Sequence, residues 1–176
     1  MRVFTQRLTN IPHHHDARGT LPELTLPFGL RQRSRQRLVL DNGEQIGIIL
    51  PQGTVLDHND ILATEDGHHV RVRAACENVL QVRAHSRHQL MLAAYHLGNR
   101  HVALEIQPEM LQLEFDAVLQ DMLSRMPGIL TRGALAPFRP ETGAYGGGHK
   151  HGHDETFDED YALAQAAFQV HHPHHA

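Results

Sequence analysis

The hydrophobic period of this chain changes near Cys76, and one change of period means two architectures in a single polypeptide. Before it, apolar residues recur in short runs at 2–8, 36–40, 44–50, 54–56, 61–63 and 69–75. Side chains alternate along a strand, so 2–8 sets Val3, Thr5 and Arg7 on one face and Phe4, Gln6 and Leu8 on the other. Asp41-Asn42-Gly43 joins two of these runs. Asn-Gly there predicts a hairpin, because both residues tolerate positive φ. Pro51-Gln52-Gly53 and Glu65-Asp66-Gly67 mark further turns. Many short strands at close spacing predict a small barrel or sandwich.

After Cys76 the period lengthens. Residues 78–84 read as a strand, and 86–97 as a helix with Leu90, Ala93, Ala94 and Leu97 on one face. Ser86 is its expected N-cap and Gly98 its expected stop. Residues 103–107 and 110–114 are strands either side of Pro108-Glu109. Residues 116–126 form a second amphipathic helix, with Val118, Leu119, Met122 and Met126 on one side and Pro127-Gly128 at its end. Residues 129–135 close the sheet. This is the split βαβ order of a ferredoxin-like domain. Residues 137–148, rich in proline and glycine and ending in Gly146-Gly147-Gly148, read as a linker. The expected class is therefore α+β: a β-rich N-terminal domain (1–75), a ferredoxin-like (βαββαβ) domain (76–145) and a flexible histidine-rich tail (146–176).

A chain of 176 residues suits one ordinary domain or two small ones. Its longest apolar runs, such as 46–50, are too short to span a bilayer, and residues 1–7 do not lead into a secretory signal. A cytoplasmic protein with no membrane partner is expected. A lone Cys76 excludes an intramolecular disulfide and a paired-cysteine zinc site; a buried or partly buried small apolar residue is expected there. Of the 16 basic residues only Lys150 is a lysine, and Arg31, Arg33, Arg35 and Arg37 alternate, which on a strand puts all four on one face. With no tryptophan and a net charge of −4, nucleic acid is not the expected partner. A solvated strand face, or a docking surface for an acidic protein partner, remains.

The residues that carry chemistry are histidines. Residues 149–176 hold seven of the 17, in two clusters: His149, His151 and His153, then His171, His172, His174 and His175. Neutral imidazole binds nickel, copper, zinc and cobalt, and several a few residues apart can wrap an ion without a folded pocket. An expression tag or a merely polar tail are the alternatives. A tag is an unbroken run, whereas Lys150, Gly152 and Pro173 interrupt these clusters and 154–170 separates them. His13-His14-His15 is a further cluster, expected on an exposed loop, with adventitious metal binding as its other reading.

His96 falls in the last turn of the first expected helix, and His101 just beyond it. Their spacing does not put both on one helical face, so one chain cannot easily close a site there. A two-fold dimer presents His96 twice and can hold an ion on its axis.

Tyr95-His96-Leu97-Gly98-Asn99-Arg100-His101 resembles the signature of the UreE family of urease accessory proteins, nickel metallochaperones of urease maturation. Thr5-Gln6-Arg7-Leu8, Arg33-Ser34-Arg35 and Leu50-Pro51-Gln52-Gly53 fit that family's N-terminal domain. Residues 116–123 and Pro137-Phe138-Arg139-Pro140-Glu141-Thr142-Gly143-Ala144-Tyr145 fit its C-terminal domain, after which a histidine-rich tail is typical. The resemblance implies a homodimer with a shared Ni²⁺ site at His96, His101 as a possible secondary ligand, and an N-terminal domain that docks protein or peptide. Zn²⁺, Cu²⁺ and Co²⁺ are other ions the same ligands take. The implied partners are the urease apoprotein and its other accessory proteins, including the maturation GTPase. Where some members carry further histidines after Pro108, this chain has Glu114, Phe115, Asp116 and Ala117, which puts a secondary site there in doubt. Storage or sensing of metal is the alternative function. An enzyme is not expected: no His-Glu-x-x-His, nucleophile elbow or phosphate-binding glycine loop occurs.

Overall fold

Thr5 divides the first alternating run between two sheets. The computed structural model describes residues 1–8 and 21–141. Arg2–Phe4 (β1) runs parallel to Gln45–Ile49 (β5), whereas Gln6–Leu8 (β2) runs antiparallel to Ile61–Ala63 (β6). Between them the Thr5 amide donates to the Ala63 carbonyl at 3.1 Å, so the backbone stays paired through the switch. Arg35–Val39 (β4) adds to β5 and completes a sheet of order β1-β5-β4. Glu23–Leu26 (β3) and His69–Ala74 (β7) complete the other, of order β2-β6-β7-β3. Phe4 joins Ile46 and Ile48 of the first sheet to Leu24, Leu26, Leu62, Val70 and Val72 of the second in one apolar cluster. Burying each such side chain contributes about 1.5–3 kcal/mol, and the alternation that delivers them is the period of two.

The hairpin between β4 and β5 forms, but with different turn chemistry from that expected. Only Gly43 has positive φ, at +89°, and Asn42 does not. The Gly43 amide donates to the Leu40 carbonyl at 2.8 Å, and the Asn42 Oδ1 accepts from the Glu44 amide at 3.0 Å. This is a type I turn closed by a left-handed glycine, which needs one positive φ instead of two. Residues 54–56 form no strand. The Thr54 hydroxyl caps the Pro51 carbonyl at 2.7 Å, and the loop delivers Leu56 to the core. A one-turn helix, Phe28–Arg31 (α1), follows Pro27. It removes Arg31 from the expected arginine face: Arg31 is 1% exposed, while Arg35 and Arg37 point to solvent from β4.

The second architecture follows the expected order. Cys76–Ala84 (β8), Arg87–Gly98 (α2), Glu105–Gln107 (β9), Met110–Glu114 (β10), Ala117–Ser124 (α3) and Ile129–Pro137 (β11) build an antiparallel sheet of order β11-β8-β10-β9. Leu80, Val82, Leu111, Leu113 and Ile129 from the sheet pack with Ala93 and Leu97 of α2 and Leu123 of α3. Ser86 caps α2 by accepting from the Gln89 amide, and Asp116 caps α3 by accepting from Val118 and Leu119. Cys76 is exposed, contrary to expectation, because it precedes the part of β8 that the core covers. No helix among the described residues is long and apolar enough to cross a membrane.

The first part of the expected linker is not a linker. Phe138 is 5% exposed and meets Phe28 edge-on at 5.9 Å. Its carbonyl accepts from Arg31, whose other guanidinium nitrogen donates to the Leu56 carbonyl at 3.1 Å. Arg139 pairs with Asp57, its amide donates to Glu105 at 2.8 Å, and the Glu141 amide donates to the Leu104 carbonyl at 2.7 Å. Residues 137–141 thus form a strap held by groups from both parts of the chain. The expectations for His13-His14-His15, for the rest of the linker and for the tail lie outside the described residues.

Candidate metal centre

Helix α2 positions His96. Its buried residues Ala93 and Leu97 face the sheet, with Leu90 and Ala94 half-buried beside them. The opposite flank carries Met91, Leu92 and Tyr95, which are 63%, 41% and 63% exposed. A helix that is apolar on both flanks needs burial on both, and only one of these is covered by described residues. His96 is exposed next to this flank. The Tyr95 and His96 rings meet edge-to-face at 5.5 Å. The His96 imidazole has no hydrogen bond or ion pair with any described residue, which leaves its nitrogens available as metal ligands.

Past His96 the helix runs one residue further than expected. Gly98 is its last residue, and the left-handed position falls on His101, with φ +54°. The Arg100 and Val102 amides donate to the Leu97 carbonyl at 3.0 and 3.2 Å, and the Arg100 side chain caps the His96 carbonyl at 2.9 Å. Histidine is among the few side chains enriched in that backbone region. His101 is exposed, and it belongs to no group of three or more such ligands among the described residues.

Among the described residues no group of three or more histidine, cysteine or carboxylate side chains is placed to hold an ion. One imidazole does not complete the coordination of a transition ion, for which tetrahedral or higher coordination is usual. His149, His151, His153, His171, His172, His174 and His175 lie outside the described residues. Glu114, Phe115, Asp116 and Ala117 form the end of β10 and the start of α3, with Asp116 used as the helix cap. Cys76 is far along the chain from His96, at the start of β8.

A network of paired charges lies elsewhere, at the strap. The Arg139 hydrogen bond holds the Asp57 carboxyl below its ordinary range, against the opposing effect of burial. Arg7 adds to it, reaching Asp57 at 3.0 Å and Asp60 at 2.7 Å. Arg139 is raised in turn by Asp57. Burial lowers Arg31, and the carboxylates of Glu77 and Asp57 oppose that shift. These groups fasten the strap by pairing with one another, although the Nε atoms of Arg7 and Arg31 are buried without a hydrogen-bond partner among the described residues. The apolar flank of α2 was the feature that pattern reading passed over. Its signal was present as Met91, Leu92 and Tyr95, three apolar residues outside the core-facing set of that helix.

Comparison with known proteins bears on this arrangement. Residues 4–75 match the model of the UreE urease accessory protein N-terminal domain, and residues 77–176 that of the UreE C-terminal domain. The chain is 59% identical over 151 residues to the urease accessory protein UreE of Cupriavidus necator, covering 86% of this chain and 78% of that one. It is 57% identical over 173 residues to the UreE of Burkholderia vietnamiensis, covering 98% and 86%. With both halves matched and relatives this similar, the chain belongs to the UreE family of urease accessory proteins, which assist urease maturation and are not enzymes.

Proposed function

We propose that the chain is a nickel metallochaperone, which binds Ni²⁺ reversibly through histidines and delivers it to the urease maturation complex for assembly of the urease nickel centre. The observation that carries this reading is His96: an exposed imidazole with no hydrogen-bond or ion-pair partner among the described residues, beside an exposed apolar helix flank. A second copy that buries Met91, Leu92 and Tyr95 brings a second His96 toward the first, and supplies by symmetry the ligand that one chain lacks. The apolar flank supports a homodimer because contiguous exposed apolar surface marks an interaction site.

In this reading residues 1–75 dock partner proteins, residues 76–145 hold the shared ion, and residues 146–176 recruit further ions through His149, His151, His153, His171, His172, His174 and His175. His101 is a secondary ligand. The partners are the urease apoprotein and its other accessory proteins, including the maturation GTPase, and the setting is the cytoplasm. Zn²⁺, Cu²⁺ and Co²⁺ compete, since imidazole does not distinguish strongly among borderline ions. Delivery requires release. Coordinating imidazoles must be unprotonated, and free imidazole titrates near about 6.5, so acid and ligand exchange both free the ion.

The test is nickel-dependent activation of urease apoprotein with purified accessory proteins, alongside equilibrium dialysis of the full chain and of residues 1–148. The truncated chain should retain about one ion per dimer, as the two-fold argument requires, and the full chain should hold more. Metal storage or buffering is the second reading, favoured by the seven tail histidines. A chain that binds nickel and yet never accelerates urease activation is a store, and the delivery reading then fails.

A further inference from the structure

The arginines of the N-terminal sheets fall into two groups. Arg2 pairs with Glu44, Arg7 with Asp57 and Asp60, and Arg73 with Glu23, while Arg31 is buried on backbone carbonyls. Arg71 is engaged as well. Arg33, Arg35 and Arg37 are exposed, and none has an ion-pair or side-chain hydrogen-bond partner among the described residues. All three lie on or just before β4.

β4 is an outer strand of its sheet among the described residues. The Leu40 amide donates to the Glu44 carbonyl and the Leu50 amide to the Ser34 carbonyl, both at 2.8 Å. Hydrogen-bonded and non-hydrogen-bonded pairs alternate along an antiparallel ladder. With the register Arg35↔Ile49, Arg37↔Gly47 and Val39↔Gln45, the groups that face β5 belong to Ser34, Gln36, Leu38 and Leu40. The N–H and C=O groups of Arg35, Arg37 and Val39 therefore point to the free edge, without a backbone partner among the described residues. The same three residues put their side chains on the open face of the sheet, where Val39 is 57% and Ile49 47% exposed. Edge direction and side-chain chemistry thus coincide residue by residue.

Charge on an edge strand also serves to prevent self-pairing. That explains why a second copy is the wrong occupant: antiparallel or parallel pairing of two β4 strands sets arginines against or beside arginines, and like charges across a ladder are destabilising. The pattern that repels itself accepts its opposite. An added strand carrying carboxylates two residues apart matches the spacing of Arg35 and Arg37, with the next alternate position apolar against Val39.

We propose that the outer edge of β4 is a docking site for an extended acidic segment of a partner protein, which adds as a further strand and sets alternate carboxylates against Arg35 and Arg37. Main-chain hydrogen bonds supply affinity, and the two guanidiniums supply selectivity. The proposal rests on the reading that residues 1–75 dock partner proteins, but bound metal plays no part in it, so its failure and that of the nickel reading are told apart by separate measurements.

The experiment titrates a short labelled peptide of alternating glutamate and valine against the full chain by fluorescence anisotropy, with hydrogen exchange read at β4. Binding is expected, with slowed exchange of the Arg35, Arg37 and Val39 amides in the unaltered protein. Arg35→Ser combined with Arg37→Ser should weaken it about tenfold, the product of two exposed ion pairs. Val39→Pro removes an edge N–H and no charge, and the position tolerates proline because that N–H is outside the β4–β5 ladder; it should weaken binding as well. The proposal is overturned if the peptide does not bind, or if alternating glutamine and valine binds equally. It is also overturned if the arginine pair can be replaced without loss, or if the β4 amides of the unaltered protein exchange no more slowly with peptide present. Equal binding of a thymidine oligonucleotide would mean a general polyanion surface, and would sink the strand-addition model too.

Discussion

The two halves of this chain leave opposite kinds of surface unsatisfied. The N-terminal sheets end in a charged strand edge, where Arg35 and Arg37 stand without partners among the described residues. The ferredoxin-like half instead exposes an apolar helix flank, Met91, Leu92 and Tyr95, with His96 beside it. An apolar flank favours close burial, which fits a second copy held around an ion. A charged edge favours an exchangeable partner, because exposed ion pairs are weak and screened by salt. Under the two proposals above, the contrast separates holding a metal from docking a partner. Between the two, the strap at residues 137–141 keeps the halves in register through Arg31 and Asp57.

The largest test of that separation is loss of metal. His96→Ala in residues 1–148 should abolish nickel binding in equilibrium dialysis, while Arg35→Ser with Arg37→Ser in the same background should leave the ion count unchanged. Nickel retained without His96 would break the comparison at its metal side.

Arg31→Ala should come next, at about 2–4 kcal/mol, since it leaves the buried carbonyls of Leu56 and Phe138 without donors. A urea titration should show a lower midpoint. A shift under about 0.5 kcal/mol, the range of ordinary surface substitutions, would show that the strap does not couple the halves.

A charge on the apolar flank should have a smaller, more selective effect. Tyr95→Glu should weaken the dimer by about tenfold or more, near 1.4 kcal/mol, with the fold of the separated chain unchanged. Sedimentation velocity at several concentrations reads this. An unaltered association constant would remove α2 from the interface.

Asp57→Asn is expected to cost least, about 1 kcal/mol at neutral pH, because its pair with Arg139 is partly solvated. Arg139 depresses the folded-state pKa of Asp57. Its stabilisation is therefore complete above the unfolded value of about 3.9 and disappears as the pH falls through the lower folded value. The unaltered protein and Asp57→Asn should thus differ at pH 7 and converge in strong acid. A gap that widens on acidification would contradict the assigned sign.

Much of the architecture was legible from residue order. The cap Ser86, the core face of α2 and the four strands around the two helices all came from local spacing, because helix and strand periods are properties of neighbouring residues. His96 could be singled out in the same way, by its place in the last turn. Other expectations failed for one shared reason. Residues 2–8 alternate without a break, yet Thr5 divides them between sheets, and nothing local marks the point where one neighbour gives way to another. Cys76 was expected inside and lies outside, since burial depends on what covers a strand and not on the strand itself.

Residue order by itself determined the two periods, the turns that separate the strands, and where the histidines fall along the chain. Tertiary structure alone decided which of four alternating arginines would be buried. Arg31 enters the interior because Phe138, 107 residues away, brings a carbonyl that needs a donor, whereas Arg35 and Arg37 stay outside because their side chains lie on the open face of their sheet, where Val39 and Ile49 are exposed as well. A side chain's chemistry is written in its own position; its partner is set by segments distant in sequence, and the partner determines whether a charge becomes structure or remains available for recognition.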